Sequence, residues 1–148
     1  MSTESRNPRS VGLDKLSARE IVHLMNEEEK AVLRALTSAE AEIALAAEKA
    51  AEAFQKGRRI IYVGAGTSGR IATMDAAEMP PTFGIDSQSF VALHAGGSSA
   101  TTTAVEDAED SDTAAIDDLN SLPLEREDLV IGLAASGRTP YVLAAIRH

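Results

Sequence analysis

This chain of 148 residues has no cysteine and no tryptophan, and only two tyrosines and three phenylalanines. Without cysteine there are no disulfides and no thiolate metal sites. With so few aromatics, the core has to be built from Ala, Val, Ile and Leu. Basic residues are the minority: 14 Lys and Arg against 23 Asp and Glu leave a formal net charge of −9. That balance argues against nucleic acid or an anionic membrane as partner. It also means that an anionic ligand must be held by local donors, because the overall field opposes it. No apolar run is long enough to span a bilayer and no N-terminal stretch reads as a signal peptide, so a soluble cytoplasmic protein is expected. The 44% apolar content is normal for a globular chain of this size, enough for one domain, or one domain with an arm.

What is present is one device used twice. Ile60-Ile61-Tyr62-Val63 runs into Gly64-Ala65-Gly66-Thr67-Ser68-Gly69, and a helical pattern starts at once. Leu129-Val130-Ile131-Gly132-Leu133 runs into Ala134-Ala135-Ser136-Gly137-Arg138-Thr139-Pro140 in the same way. A strand, a loop of small hydroxyl-bearing residues and a helix N-terminus let backbone N–H groups converge on an oxyanion. Two such sites point to a phosphorylated ligand.

Along the chain, Met1 to about Leu13 is polar and expected to fray. Ser17 and Glu20 fit a capping box. Ile21, Leu24, Met25, Val32, Leu33 and Leu36 give an apolar stripe, and Thr37 or Ser38 is expected to cap a second, Ala-rich helix to about Lys56, stopped by Gly57. Strands are expected at Arg59–Val63, Phe90–His94 and Leu129–Leu133. A helix from about Ser68 to Glu78 is expected to end at Pro80-Pro81. Thr103 and Glu106 read as a capping box opening a helix to about Leu119, and Thr139 caps the last helix with Pro140 at its first position. Apolar strands alternating with helices imply an α/β fold, a parallel doubly wound sheet. The expected division is an N-terminal helical arm over residues 1–56 and an incomplete three-stranded domain over 57–148.

The first loop has the spacing G-x-G-x-x-G, so a dinucleotide is a rival ligand. That fingerprint needs an acidic residue at the end of the next strand to hold a ribose hydroxyl. The next strand here ends in His94-Ala95-Gly96, later than the fingerprint requires and without an acid. Thr67 and Ser68 suit a terminal phosphate, and a ligand-free tight turn is the plainer alternative. In the second loop Arg138 can pair with phosphate through two N–H groups, while Ser136 and Thr139 can simply cap. Glu78 is a candidate general acid: a helix end and its neighbours Met79, Pro80, Pro81 and Phe83 disfavour the ionised carboxylate. An exposed Glu at a frayed helix end is the plainer alternative. Glu106, Asp107, Glu109, Asp110 and Asp112 read as a solvated helix face, with Glu109 one turn past Glu106, and they match no EF-hand loop. His94 reads as a strand residue near the loop mouth.

Four segments carry a resemblance: Tyr62–Arg70, Asp75–Gly84, Ala104–Asp110 and Gly132–Val142. In this order and spacing they resemble the N-acetylmuramic acid 6-phosphate etherases, lyases built on a sugar isomerase (SIS) phosphosugar-binding domain of flavodoxin-like topology. The resemblance implies cleavage of the D-lactyl ether of a phosphorylated amino sugar by elimination and hydration, with no metal and no cofactor. Its two catalytic glutamates align with Glu78, as acid, and Glu109, as base. Its phosphate site implies Gly66, Thr67, Ser68, Gly69, Ser136, Gly137, Arg138 and Thr139. A sugar-phosphate isomerase and a non-catalytic phosphosugar sensor are the alternatives on the same fold. Met79 stands where the family usually has Cys, and Asp107 where it usually has Gly. Family members are longer, so this chain alone is expected to expose a sheet edge, to aggregate and to lack activity. Glu78 lies ten residues beyond Ser68, about 15 Å along one helix, too far for a hexose to bridge. Either the phosphate sits chiefly on the Ser136–Thr139 loop or Glu78 serves a neighbouring subunit's site, and of the two a homodimer with a shared site is expected.

Overall fold

The computed structural model describes Thr3 and residues 5–148. It divides into two compact units, one ending at Glu48 and one running from Lys49 to His148.

In the first unit, short 3-10 turns at Pro8–Ser10 and Leu13–Lys15 precede helix α1 (Ala18–Ser38). Within the stretch expected to fray, Arg9 pairs with Glu28 at 2.7 Å and the Asn7 amide donates to the same carboxylate at 2.6 Å. Met1, Ser2 and Glu4 lie outside the described residues. The capping box is present: Ser17 accepts from the Glu20 N–H, and the Ser17 N–H donates back to the Glu20 carboxylate at 2.8 Å. Helix α2 (Glu40–Gln55) follows after Ala39. Thr37 and Ser38 do not cap it. Their hydroxyls donate to the carbonyls of Leu33 and Arg34, one turn back in α1, a bond open to any Ser or Thr near a helix end.

The second unit holds a three-stranded parallel sheet of β1 (Ile60–Gly64), β2 (Phe90–His94) and β3 (Leu129–Leu133) in the order β2-β1-β3. The register sets Ile60 beside Phe90 and Leu129, and Gly64 beside His94 and Leu133. On one face Ile61 and Val63 pack with Ala115 and Leu119 of α4 (Asp112–Asn120) and with Tyr141, Val142 and Ala145 of α5 (Pro140–Arg147). The opposite face carries Tyr62 and Phe90, their rings 6.1 Å apart, with Phe54 5.9 Å from Phe90. Helix α3 (Gly66–Phe83) covers this face, and its Asp75 meets the Tyr62 hydroxyl. The parallel, doubly wound α/β expectation holds.

Register is locked at the far end of the sheet. Asp128 is nearly fully buried and receives the Arg59 guanidinium at 2.5 Å, the Arg59 N–H at 2.9 Å and the Glu125 N–H at 2.9 Å. These bonds fix the start of β1 against the start of β3. The C-terminal ends of both strands, and the loops that leave them, are thereby brought side by side.

Two helix boundaries differ from expectation. Helix α3 runs through Pro80 and Pro81 and stops at Gly84, which has φ 65° and donates its N–H to Pro80 at 2.8 Å. Both prolines lie in the final turn, where their fixed φ is helical and only two donors are lost. Ala77 and Pro81 are on the exposed side, where water can reach the freed carbonyl. Nor does Thr103 open a helix. Asp107 takes φ 59°, the left-handed region, and breaks the chain into a loop and a 3-10 turn at Ala108–Asp110. Ser111 is the true cap of α4, accepting from the Ala114 N–H at 3.2 Å.

Candidate functional site

Ligands of open parallel sheets dock beyond the C-terminal ends of the strands. At that end lies a cleft of about 220 Å³, lined among others by Ala65, Gly66, Arg70, His94, Asp107 and Glu109. Its first wall is the opening turn of α3. The N-cap residue is Ala65, whose side chain cannot cap, so the amides of Gly66, Thr67 and Ser68 lack the usual side-chain acceptor. An N-terminus in that state attracts an anion. Gly66 and Thr67 are exposed, Ser68 is half-buried and Gly69 is buried.

The two outer glycines of the G-x-G-x-x-G spacing serve packing. A Cβ on Gly64 would sit 2.8 Å from the Gly69 nitrogen, and one on Gly69 would sit 2.8 Å from the Gly64 carbonyl oxygen. The third glycine of such a motif permits this close helix–strand approach. It explains the spacing without a dinucleotide.

The opposite wall is the loop from Ala104 to Glu109. Asp107 allows its turn, since Asp tolerates the left-handed region better than most side chains. A glycine would meet the same need. Glu106 and Glu109 do not share a helix face as expected: Glu106 is on the loop and Glu109 on the 3-10 turn. Both border the cleft all the same. The floor is His94, 5% exposed, with both ring nitrogens unpartnered among the described residues. Burial lowers its pKa from the ordinary 6.5, the positive charge of Arg70 lowers it further, and the Gly66 backbone opposes the shift. Arg70 is tethered by its Nε–H to the Thr101 carbonyl at 3.0 Å.

Other expected residues lie elsewhere. Glu78 is exposed within α3, beyond reach of the helix end, so the helix-end argument for it fails. The second loop leaves β3 beside the first but does not line this cleft. Ser136 accepts the Arg138 N–H at 3.1 Å, Gly137 sits at φ 64°, and Thr139 is the N-cap of α5 without a side-chain capping bond. Arg138 borders a separate hollow with Asp112, Ile116 and Leu143. Among the described residues no three His, Asp or Glu side chains gather as metal ligands, and no helix is long and apolar enough to cross a membrane. The sequence reading passed over His94 and Arg70 as site residues. The signal for His94 was the strand register, which places it beside Gly64.

A family profile described as the glucokinase regulatory protein N-terminal SIS domain matches residues 42–148. N-acetylmuramic acid 6-phosphate etherase of Histophilus somni is 49% identical over 146 residues, 99% of this chain and 48% of that protein. The etherases of Salmonella typhi and Lactobacillus acidophilus are 50% and 47% identical, with 49% and 50% of their lengths covered. The chain spans about half the length of the curated relatives it matches.

Proposed function

Because this chain belongs to the family of the glucokinase regulatory protein N-terminal SIS domain and is similar to the N-terminal half of the etherases, we propose that it binds N-acetylmuramic acid 6-phosphate and serves in removal of its D-lactyl ether. The observation that carries this reading is the cleft, in which Glu109 shares one space with the uncapped first turn of α3 and with Arg70.

The chemistry needs only acid–base groups. In the open-chain sugar the C1 aldehyde acidifies the C2 proton. Glu109 takes that proton, the C3–O bond breaks as the C2–C3 double bond forms, and an acid protonates the departing lactate oxygen. Water then adds across the double bond, leaving N-acetylglucosamine 6-phosphate and D-lactate. The phosphate rests on Gly66, Thr67, Ser68 and Gly69, and Ser136, Gly137, Arg138 and Thr139 on the neighbouring loop, outside the cleft, are the alternative cradle.

Glu78 is the acid, supplied by a second copy. It lies twelve residues past Gly66 on one unbroken helix, about 18 Å away. A hexose whose phosphate sits at Gly66 cannot reach it. Ile71, Met74 and Glu78 follow one stripe of α3, and the first two are 51% and 63% exposed, as a homodimer contact through this face requires. On this reading the protein works in the cytoplasm.

The test is incubation of N-acetylmuramic acid 6-phosphate with the chain carried in a full-length protein, as in relatives twice its length, and assay of D-lactate. Release that falls at least about 100-fold in Glu109→Gln, the usual worth of a general base, supports the reading. The regulatory protein in the family description favours one second reading, a non-catalytic phosphosugar sensor. Binding without lactate selects the sensor, and absence of both overturns the two readings together.

A further inference from the structure

We propose that the cleft is a proton-coupled anion site: as a phosphate monoester docks on the amides of Gly66–Ser68 beside Arg70, the His94 ring beneath takes up a proton from solvent. The inference rests on the phosphosugar reading and adds to it a residue and a pH dependence.

Three observations converge. His94 is nine-tenths buried, lines the cleft and has two ring nitrogens without a hydrogen-bond partner among the described residues. A buried polar group in that state is costly unless something completes it. Next, the ring is pinned under the first turn of α3: a Cβ on Gly69 would come within 2.2 Å of the His94 Cδ2. A side chain held so closely cannot turn away to find another partner. Last, the α3 side sets the Arg70 guanidinium and the helix N-terminus near the ring, with the Gly66 backbone acting the other way. Burial first and the Arg70 charge second hold the pKa of the empty ring below the ordinary 6.5.

The charged groups facing the ring decide the sign. From α3 there is Arg70. From the loop opposite come Glu106, Asp107 and Glu109, and among the described residues β1 offers only the Tyr62 phenol on that face, engaged with Asp75. A dianion on the helix N-terminus offsets the Arg70 charge that adds to burial in suppressing protonation, and an imidazolium beneath it adds a charge-assisted donor. By linkage, the anion binds more tightly as pH falls.

Sulfate is the probe, since it stays a dianion throughout the range and its own titration does not enter. Sulfate affinity of the intact chain should rise about tenfold from pH 8 to pH 6, one unit of linked pKa. In His94→Gln, which keeps a neutral polar group of similar size, the affinity should be flat with pH. In the unsubstituted chain the His94 ring-proton NMR signal should titrate below the ordinary 6.5, and saturating sulfate should move it upward. This second readout stands even where the variant fails to fold. Equal slopes in both proteins, no slope in either, or a His94 titration indifferent to sulfate overturns the proposal while leaving the lactate assay to judge the functional reading. Absence of sulfate binding at any pH removes the anion site itself.

Discussion

At the scale of single residues, Gly69 has the tightest surroundings of the glycines. An added methyl there meets the His94 ring at 2.2 Å and the Gly64 carbonyl at 2.8 Å, and neither can yield freely. Gly69→Ala should therefore cost about 2 kcal/mol, in the range of overpacked cores, read as a shift in urea midpoint. His94 sets a pH dependence of stability whose sign follows from its lowered pKa. The unfolded chain protonates first as pH falls past the ordinary 6.5, so the neutral ring's contribution is whole above that value and declines below it, toward the lower folded value. Urea midpoints at pH 7.5 and 5.5 should show a loss at the acid end, and the loss should shrink in His94→Gln. His94 could be found in the sequence only as the last residue of a strand. Its burial depends on Gly69 lacking a side chain, a contact between residues 25 apart that no local pattern records.

At the scale of elements, all three strands were readable within a residue because their apolar runs end at glycine-rich or small-residue loops. Helix ends were less readable, since the same signals have more than one outcome. Pro80-Pro81 reads as a stop, yet a final turn accommodates proline. Thr103 with Glu106 reads as a start, yet the bend at Asp107 and the hydroxyl of Ser111 move the start eight residues on. Those two misreadings also hid the geometry of both glutamates, of which only Glu109 had been singled out by the family resemblance alone. The Arg59–Asp128 pair is the element-scale counterpart of a turn signal, reaching across 69 residues. Asp128→Ala leaves a largely buried guanidinium without its partner and should destabilise by about 3 kcal/mol, as broken buried pairs do. Thermal unfolding measures it. Because this lock aligns β1 with β3, phosphate affinity should weaken as well.

At the scale of the whole molecule, the acidic surplus and the phosphate reading are reconciled by placement: the donors are backbone amides and one tethered arginine, not a basic surface. The distance from Gly66 to Glu78 asks for a second copy. On the shared-site reading, Glu78→Gln and a Thr67→Ala/Ser68→Ala double variant should each be inactive alone, whereas mixed subunits regain lactate release through one intact pairing. Activity no higher in the mixture than in either parent would assign both glutamates to one subunit or remove Glu78 from the chemistry.

The central position of β1 bears on synthesis. Its first neighbour, β2, emerges about thirty residues behind it and its second only after 69. While the ribosome makes the intervening stretch, one flank of β1 has its main-chain amides and carbonyls unsatisfied and is free to zip onto another nascent chain. Slow codons between Gly96 and Asp128 would lengthen that interval, and the yield of soluble protein would fall even though no side chain had changed.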